Sequence, residues 1–220
     1  MCNTLVVGSG KWRQQGFEAA IELLNLLQQT DSNLVKLPRP IIAIAASCGL
    51  RYNPTLGTPI AEVDGILYGN RILCSHHTSA LRTRFTVAHE LAHYLIGSTA
   101  PDLLAMYGLR DPAHQQSEAQ ADGYAAGLLI DHLSLRATLE PMVPHLTPMT
   151  PAEWVEMETA YKTVSCLVKT YKVSYAVTLQ ALADAGLVQG IRPWSDRTGV
   201  AFTHYRQCRQ DLKTETDWSA

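Results

Sequence analysis

Two histidines four residues apart, His89 and His93, are the feature of this chain that most suggests chemistry. On a helix this spacing puts both imidazoles on one face, one turn apart, where they can bind the same tetrahedral zinc ion. Zinc lowers the pKa of a bound water molecule to about 7. Glu90 follows the first histidine directly and could take the proton of that water, then pass it to a leaving amine. The motif therefore predicts zinc-dependent hydrolysis of peptide bonds with Glu90 as general base.

A catalytic zinc also needs a third protein ligand and an open fourth position. The metzincin arrangement would require glycine at 96 and histidine at 99, and Ile96 and Thr99 exclude it. Glu118, on a helix predicted downstream, is the favoured third ligand, and His114 just before that helix is the alternative. Asp122, one turn beyond Glu118, could accept a hydrogen bond from a ligand histidine and so fix its tautomer and orientation.

Four further side chains are close in sequence to this predicted site. Tyr94 and Tyr124 are candidates for the group that stabilises the oxyanion, and either could equally belong to the core. His76 and His77 precede the motif helix, where a substrate contact and an exposed pair are equally good interpretations. The five-residue motif alone also occurs by chance on charged helix surfaces, so the surrounding residues decide whether it indicates a zinc site.

The apolar periodicity predicts the elements that position these residues. The motif helix spans 78–96 with Gly97 as its stop, and its apolar stripe comprises Leu81, Phe85, Ala88, Ala92 and Leu95. A second helix spans about 115–131 and is kept slim by alanines. Other helices are predicted at 17–30, 40–50, 152–171 after a capping box at 150–153, and 174–186, with a hairpin around 69–71. The segment at 40–50 could also be a buried strand.

Composition and charge restrict the class of protein. The net charge is −2 and charged residues are 17 % of the chain, so we do not expect direct binding to nucleic acid. The five cysteines are scattered without a Cys-x-x-Cys pair, which argues against a disulfide framework and a cysteine zinc site. The sequence shows no signal peptide and no apolar run of about 20 residues, so we expect a cytoplasmic protein without a membrane span.

Two longer stretches together resemble the ImmA/IrrE family of metallo-endopeptidases. Members of that family typically carry Arg-Phe-Thr before the zinc motif, as at 84–86, and Glu-x-x-Ala-Asn/Asp on the second helix, where this chain has Glu118 to Asp122. The similarity extends over about 40–187, although the usual Met-Pro after the paired leucines is replaced by Ile130-Asp131. The resemblance implies a Zn²⁺ enzyme with ligands His89, His93 and Glu118. It also implies a repressor-type regulatory protein as substrate.

The resemblance also implies the architecture. We expect an α+β fold with a zincin-like catalytic domain, mostly helical with a small sheet, followed by a helix-turn-helix-like helical segment. The expected parts are an N-terminal extension with an amphipathic helix (1–38), the metallopeptidase core (39–150), the helical segment (151–190) and a C-terminal tail (191–220). In such peptidases the substrate adds a strand to a sheet edge, and residues 72–75 are the expected edge.

Two other functions compete with the endopeptidase. The helical pair over 152–186 could bind DNA, but residues 175–185 contain no lysine or arginine for phosphates or base edges. The chain could also be a zinc-binding sensor or interaction protein with little turnover, acting on a regulator by binding, because catalytic geometry requires more than metal ligands.

Overall fold

A computed structural model describes residues 5–53, 64–75, 79–97, 112–142 and 158–185 of the 220-residue chain. The described elements, in chain order, are α1 (Leu5–Thr30), a 3-10 helix (Ser32–Val35), α2 (Ile41–Ser47), β1 (Arg51–Tyr52), β2 (Gly65–Tyr68), β3 (Arg71–Cys74), α3 (Ala80–Ile96), α4 (Pro112–Leu129), α5 (His132–Leu139), α6 (Glu158–Tyr171) and α7 (Tyr175–Asp184). This mostly helical chain with one small sheet confirms the predicted α+β class. Among the described residues, no helix has the length and apolar character needed to cross a membrane.

The chain divides into two units. The first comprises Met1–Asp131 with Thr170–Val173, and the second comprises His132–Lys169 with Ser174–Ala220. The first unit contains α1 to α4 and the sheet, and therefore every predicted metal ligand. The four-part division expected from the sequence stays a prediction.

The motif helix α3 begins and ends as its sequence dictates. It begins at Ala80, two residues later than the predicted start, and the Ser79 side chain caps it by accepting a hydrogen bond from the Arg82 amide at 3.3 Å. Gly97 ends it in the left-handed conformation, with φ of 76°. The predicted apolar stripe is wrong at Leu95, which is 43 % exposed. Because α3 contacts α2, both hairpin strands and α4, its buried surface is broader than one stripe.

Helix α2 confirms the predicted helix at 40–50 and excludes the strand alternative. Its end is a Schellman motif, in which the Gly49 amide donates to Ala46 O and the Leu50 amide donates to Ala45 O, each at 3.0 Å. Gly49 has φ of 90°, a conformation that glycine adopts without a Cβ penalty. Leu50 is buried immediately after the turn, which fixes the path of the chain into β1.

The sheet has the strand order β1-β3-β2. Strands β2 and β3 form the predicted antiparallel hairpin, with Tyr68 opposite Arg71 and Gly69 at φ of 58° in the turn. Strand β1 pairs with β3 in parallel, and Tyr52 lies opposite Ile72. The expected edge at 72–75 is therefore wrong, because β3 is the central strand of the described sheet. The two-residue strand β1 is too short to be recognised from its sequence.

Helix α1 lies along α4 in direct backbone contact. A Cβ added to Gly16 would lie 1.9 Å from Gln120 O, and one added to Gly123 would lie 1.9 Å from Arg13 O. The helix begins at Leu5, so the predicted start at residue 17 is wrong. Glycines in the first half weaken intrinsic helix propensity, whereas packing against α4 stabilises the helix there.

Two arginines connect distant parts of the first unit. Half-buried Arg84 donates to the carbonyl oxygens of Arg39 at 3.0 Å, Lys172 at 3.0 Å and Tyr171 at 3.4 Å. Buried Arg39 forms an ion pair with buried Asp131 and donates to Leu128 O at 3.1 Å. Asp131, part of the departure from the family pattern after the paired leucines, thus has a structural partner.

The described part of the second unit includes a helix that the sequence did not predict. Helix α5 has only eight residues, with Leu135 and Leu139 buried. Helix α6 ends at Tyr171 as predicted, whereas the predicted capping box at 150–153 lies outside the described residues. The Ser174 side chain caps α7 as expected, by accepting from the Val177 amide at 3.3 Å.

Candidate metal centre

Helix α3 places His89 and His93 side by side, as their spacing predicted. Their ring centroids are 4.7 Å apart, and the two Nε2 atoms lie 3.0 Å from each other. The His93 side chain is 2 % exposed and the His89 side chain 16 %. The pair thus has a buried member and a member that reaches solvent.

Helix α4 brings a carboxylate to both imidazoles. Glu118 Oε1 lies 3.1 Å from His93 Nε2, and Glu118 Oε2 lies 3.4 Å from His89 Nε2. These three side chains can each offer one ligand atom within 4.8 Å of the others. Two imidazole nitrogens and one carboxylate are the ligand set of many catalytic zinc sites, which keep a fourth position open.

The other ring nitrogens face outward to acceptors. His89 Nδ1 lies 3.1 Å from Asp122 Oδ1, and His93 Nδ1 lies 3.3 Å from Ser117 Oγ. If each Nδ1–H donates a hydrogen bond to that acceptor, each Nε2 is unprotonated and directs a lone pair at the point where the rings and Glu118 converge. Two lone pairs and a carboxylate that converge on one point fit a bound cation.

The charges of the site also favour a cation. Burial alone would lower the pKa of His89, but hydrogen bonds with Asp122 and Glu118 and the nearby Glu90 carboxylate raise it well above its usual value. Burial alone would raise the pKa of Glu118, yet hydrogen bonds and charge interactions with both histidines hold it well below its usual value. The surrounding carboxylates thus stabilise positive charge at the position of the imidazoles.

Glu90, on α3, is 4 % exposed. A Cβ added to Gly65 of β2 would lie 3.3 Å from Glu90 Oε1, so the strand passes directly against this carboxylate. Cys74 of β3 is also close: burial and the charges of Glu90 and Asp64 raise the pKa of its thiol to about 12. A thiol with this pKa stays protonated at neutral pH and is a poor ligand or nucleophile.

Solvent reaches the centre from the side of α4. The side chains of Glu118 and Asp122 are 36 % and 41 % exposed. Since His93 and Glu90 are almost fully buried, the acidic groups of α4 form the accessible rim of the centre.

The remaining candidates are not among the three convergent ligands. His114 Nδ1 is 3.9 Å from Glu118 Oε1 and is not one of the three. The Tyr94 hydroxyl lies 3.8 Å from the position of a Cβ on Gly49, beside the end of α2. Tyr124 is 2 % exposed, and burial together with Cys48 raises its pKa. The oxyanion roles suggested for the two tyrosines stay predictions.

His76 and His77 lie outside the described residues. Ser117, 8 % exposed, was not recognised as a site residue, because no motif marks a serine directly before Glu118. Its role is visible only once α3 and α4 are packed together.

Comparison with known proteins agrees with this geometry. A peptidase family model described as the IrrE N-terminal-like domain matches residues 44–183, which is more than half of the chain. No curated protein sequence matches the chain. The matched region contains the hairpin, α3, α4 and the helices as far as α7, and with them His89, His93, Glu118 and Asp122. The chain therefore belongs to the peptidase family of the IrrE N-terminal-like domain.

Proposed function

We propose that the protein is a zinc-dependent endopeptidase in which His89, His93 and Glu118 hold the metal and Glu90 is the general base. One observation carries the proposal: the two Nε2 atoms and the Glu118 carboxylate converge, while both Nδ1 atoms face acceptors. A structural zinc site would have four protein ligands, whereas the described residues bring three together. The fourth position is then available to water and substrate.

When bound, zinc supplies a Lewis acid that polarises the scissile carbonyl and lowers the pKa of water to about 7. The chain's own residues divide the other tasks. Glu90 takes the proton of the attacking water and delivers it to the leaving nitrogen. Its burial against β2 holds the carboxylate in place. Asp122 keeps His89 in the tautomer that leaves Nε2 unprotonated.

The substrate we propose is a repressor-type regulatory protein in the cytoplasm, as the family resemblance implies. The centre is accessible from its α4 side, which a protein segment can approach. The described helix α7 contains no lysine or arginine, so we assign α6 and α7 to packing or partner docking rather than to DNA recognition. Neither Cys48 nor Cys74 forms a disulfide, which agrees with a reducing compartment.

Glu90→Gln tests the proposal, because it removes the base and leaves all three metal ligands. We expect hydrolysis of fluorescently labelled unfolded proteins to fall by about 10²–10⁴-fold, the usual contribution of general acid–base catalysis. Zinc content should remain that of the wild type. Undiminished cleavage by the variant would contradict the role of Glu90. A wild type that holds zinc but cleaves no member of a panel of unfolded proteins and repressors would favour the zinc-binding interaction protein instead.

A further inference from the structure

The two histidines of the centre have different outer partners. His89 Nδ1 faces the charged side chain of Asp122 at 3.1 Å, whereas His93 Nδ1 faces the neutral hydroxyl of Ser117 at 3.3 Å. Ser117 and His93 are both buried, with 8 % and 2 % exposure. The hydroxyl of a helical serine commonly bonds to a carbonyl of the preceding turn, but this one is directed across to α3.

We propose that Ser117 is a positioning residue for His93: its hydroxyl oxygen accepts a hydrogen bond from Nδ1–H and fixes the ring so that Nε2 faces the metal. This inference rests on the proposed function, since it assigns a partner to one of the proposed ligands. Zinc is bound by the unprotonated ring nitrogen, and a hydrogen bond at the other nitrogen selects that tautomer. Loss of this acceptor would weaken the preference of the buried His93 ring for that tautomer and that orientation.

Ser117 also explains how α4 supports the centre as a whole. One stretch of this helix carries the partner of His93, then the ligand Glu118, and one turn later the partner of His89. The side chains at 117 and 118 point about 100° apart around the helix axis. Ser117 reaches His93 Nδ1 and Glu118 reaches both Nε2 atoms, so α4 must face the space between the two histidines. A small rotation of α4 would therefore disturb the third ligand and both outer hydrogen bonds together.

The test compares Ser117→Ala and Ser117→Thr with the wild type. Ser47→Ala is the matched control, because it also removes the hydroxyl of a helical serine, one that donates to Ile44 O at 2.8 Å within α2. Zn²⁺ affinity is measured by competition with a chromophoric chelator, and the visible spectrum of the Co²⁺-loaded protein reports the ligand geometry. Thermal unfolding of the metal-free proteins shows whether each variant folds.

We expect Ser117→Ala to fold and to bind Zn²⁺ about 10-fold more weakly, the lower end of the usual effect of losing such a partner. Its Co²⁺ spectrum should change, Ser117→Thr should recover affinity because it keeps the hydroxyl, and Ser47→Ala should match the wild type. Wild-type affinity and an unaltered Co²⁺ spectrum in Ser117→Ala would overturn the inference. Equal weakening by alanine and threonine with an unaltered spectrum would assign the loss to packing and would overturn it too. A wild type that binds no Zn²⁺ would instead defeat the proposed function itself.

Discussion

Gly65 of β2 lies directly against the side chains of Thr86 and Glu90 on α3. A Cβ at this position would lie 2.1 Å from Thr86 Cγ2 and 3.3 Å from Glu90 Oε1. Non-bonded carbon atoms do not approach within 3 Å of each other, so only glycine permits this approach of strand and helix. The close approach couples the hairpin to the proposed general base.

Gly65→Ala should therefore push β2 and α3 apart. We expect a loss of about 1–3 kcal/mol in the free energy of unfolding, the usual cost of overpacking, together with slower hydrolysis. Chemical denaturation and initial rates measure the two effects. Thr86→Ser removes the Cγ2 atom that clashes, so the double variant should recover much of the stability lost by Gly65→Ala. Strictly additive effects of the two substitutions would refute the proposed steric coupling.

The outer edge of β2 is the place where we expect substrate to pair. The Ser75 amide donates to Asp64 O at 2.8 Å, and Tyr68 lies opposite Arg71 at the turn. The alternation of an antiparallel ladder then directs the backbone groups of Leu67 away from β3. In the described part of the chain no strand pairs with that side of β2, and Gly65 of the same strand lies beside Glu90.

Leu67→Pro removes the outward N–H and keeps the pairing with β3. One lost main-chain hydrogen bond, of about 0.5–1.5 kcal/mol, should raise KM by about 2–10-fold. Leu67→Ala, which loses the side chain but keeps the N–H, is the control. An unchanged KM in a Leu67→Pro protein with wild-type thermal stability would exclude pairing at this edge.

Asp122 should contribute to zinc affinity without touching the metal. Asp122→Ala removes the acceptor that faces His89 Nδ1 and should weaken Zn²⁺ binding by about 10–100-fold. Asp122→Asn keeps an acceptor but loses the charge, so its affinity should lie between those of alanine and wild type. Chelator competition measures all three, with Glu22→Ala on the exposed face of α1 as control. An affinity of Asp122→Ala equal to the wild type would remove this residue from the site.

Helix α1 offers a matched pair of glycines. A Cβ at Gly16 would overlap the backbone of α4, 1.9 Å from Gln120 O, whereas a Cβ at Gly10 meets nothing within 4 Å. Gly16→Ala should lower the free energy of unfolding by at least about 1–3 kcal/mol. Gly10→Ala should raise it by up to about 1 kcal/mol, through better helix propensity. Equal effects of the two substitutions in denaturant titrations would contradict the backbone contact between α1 and α4.

The sequence predicted the convergence of ligands because helical periodicity converts spacing into a shared face. His89 and His93 required only that one helix form, and Glu118 required a second slim helix packed beside it. Ser117 could not be predicted in the same way. Ser117 reaches His93 Nδ1 while Glu118 reaches both Nε2 atoms, and this depends on the rotation of α4 about its own axis. That rotation is set by packing against α3 and α1.

Other differences have the same origin in distant contacts. Strand β1 exists because Arg51 and Tyr52 pair with β3 about 20 residues later, and two residues carry no periodic signal. Aspartate is typical of solvent-exposed positions, yet Asp131 is buried in the first unit, where Arg39, 92 residues upstream, neutralises its charge. Local patterns do not report such pairings.

The measurement that tests the central claim most directly is the zinc content of the purified protein beside Glu118→Gln, by elemental analysis after dialysis. We predict about one zinc per wild-type chain, as expected of a single three-ligand site, and a clear loss in Glu118→Gln. His114→Ala should retain its zinc, because His114 lies outside the three convergent ligands. A wild type without metal even after zinc is supplied, or a Glu118→Gln variant that keeps its zinc undiminished, would contradict the proposed centre.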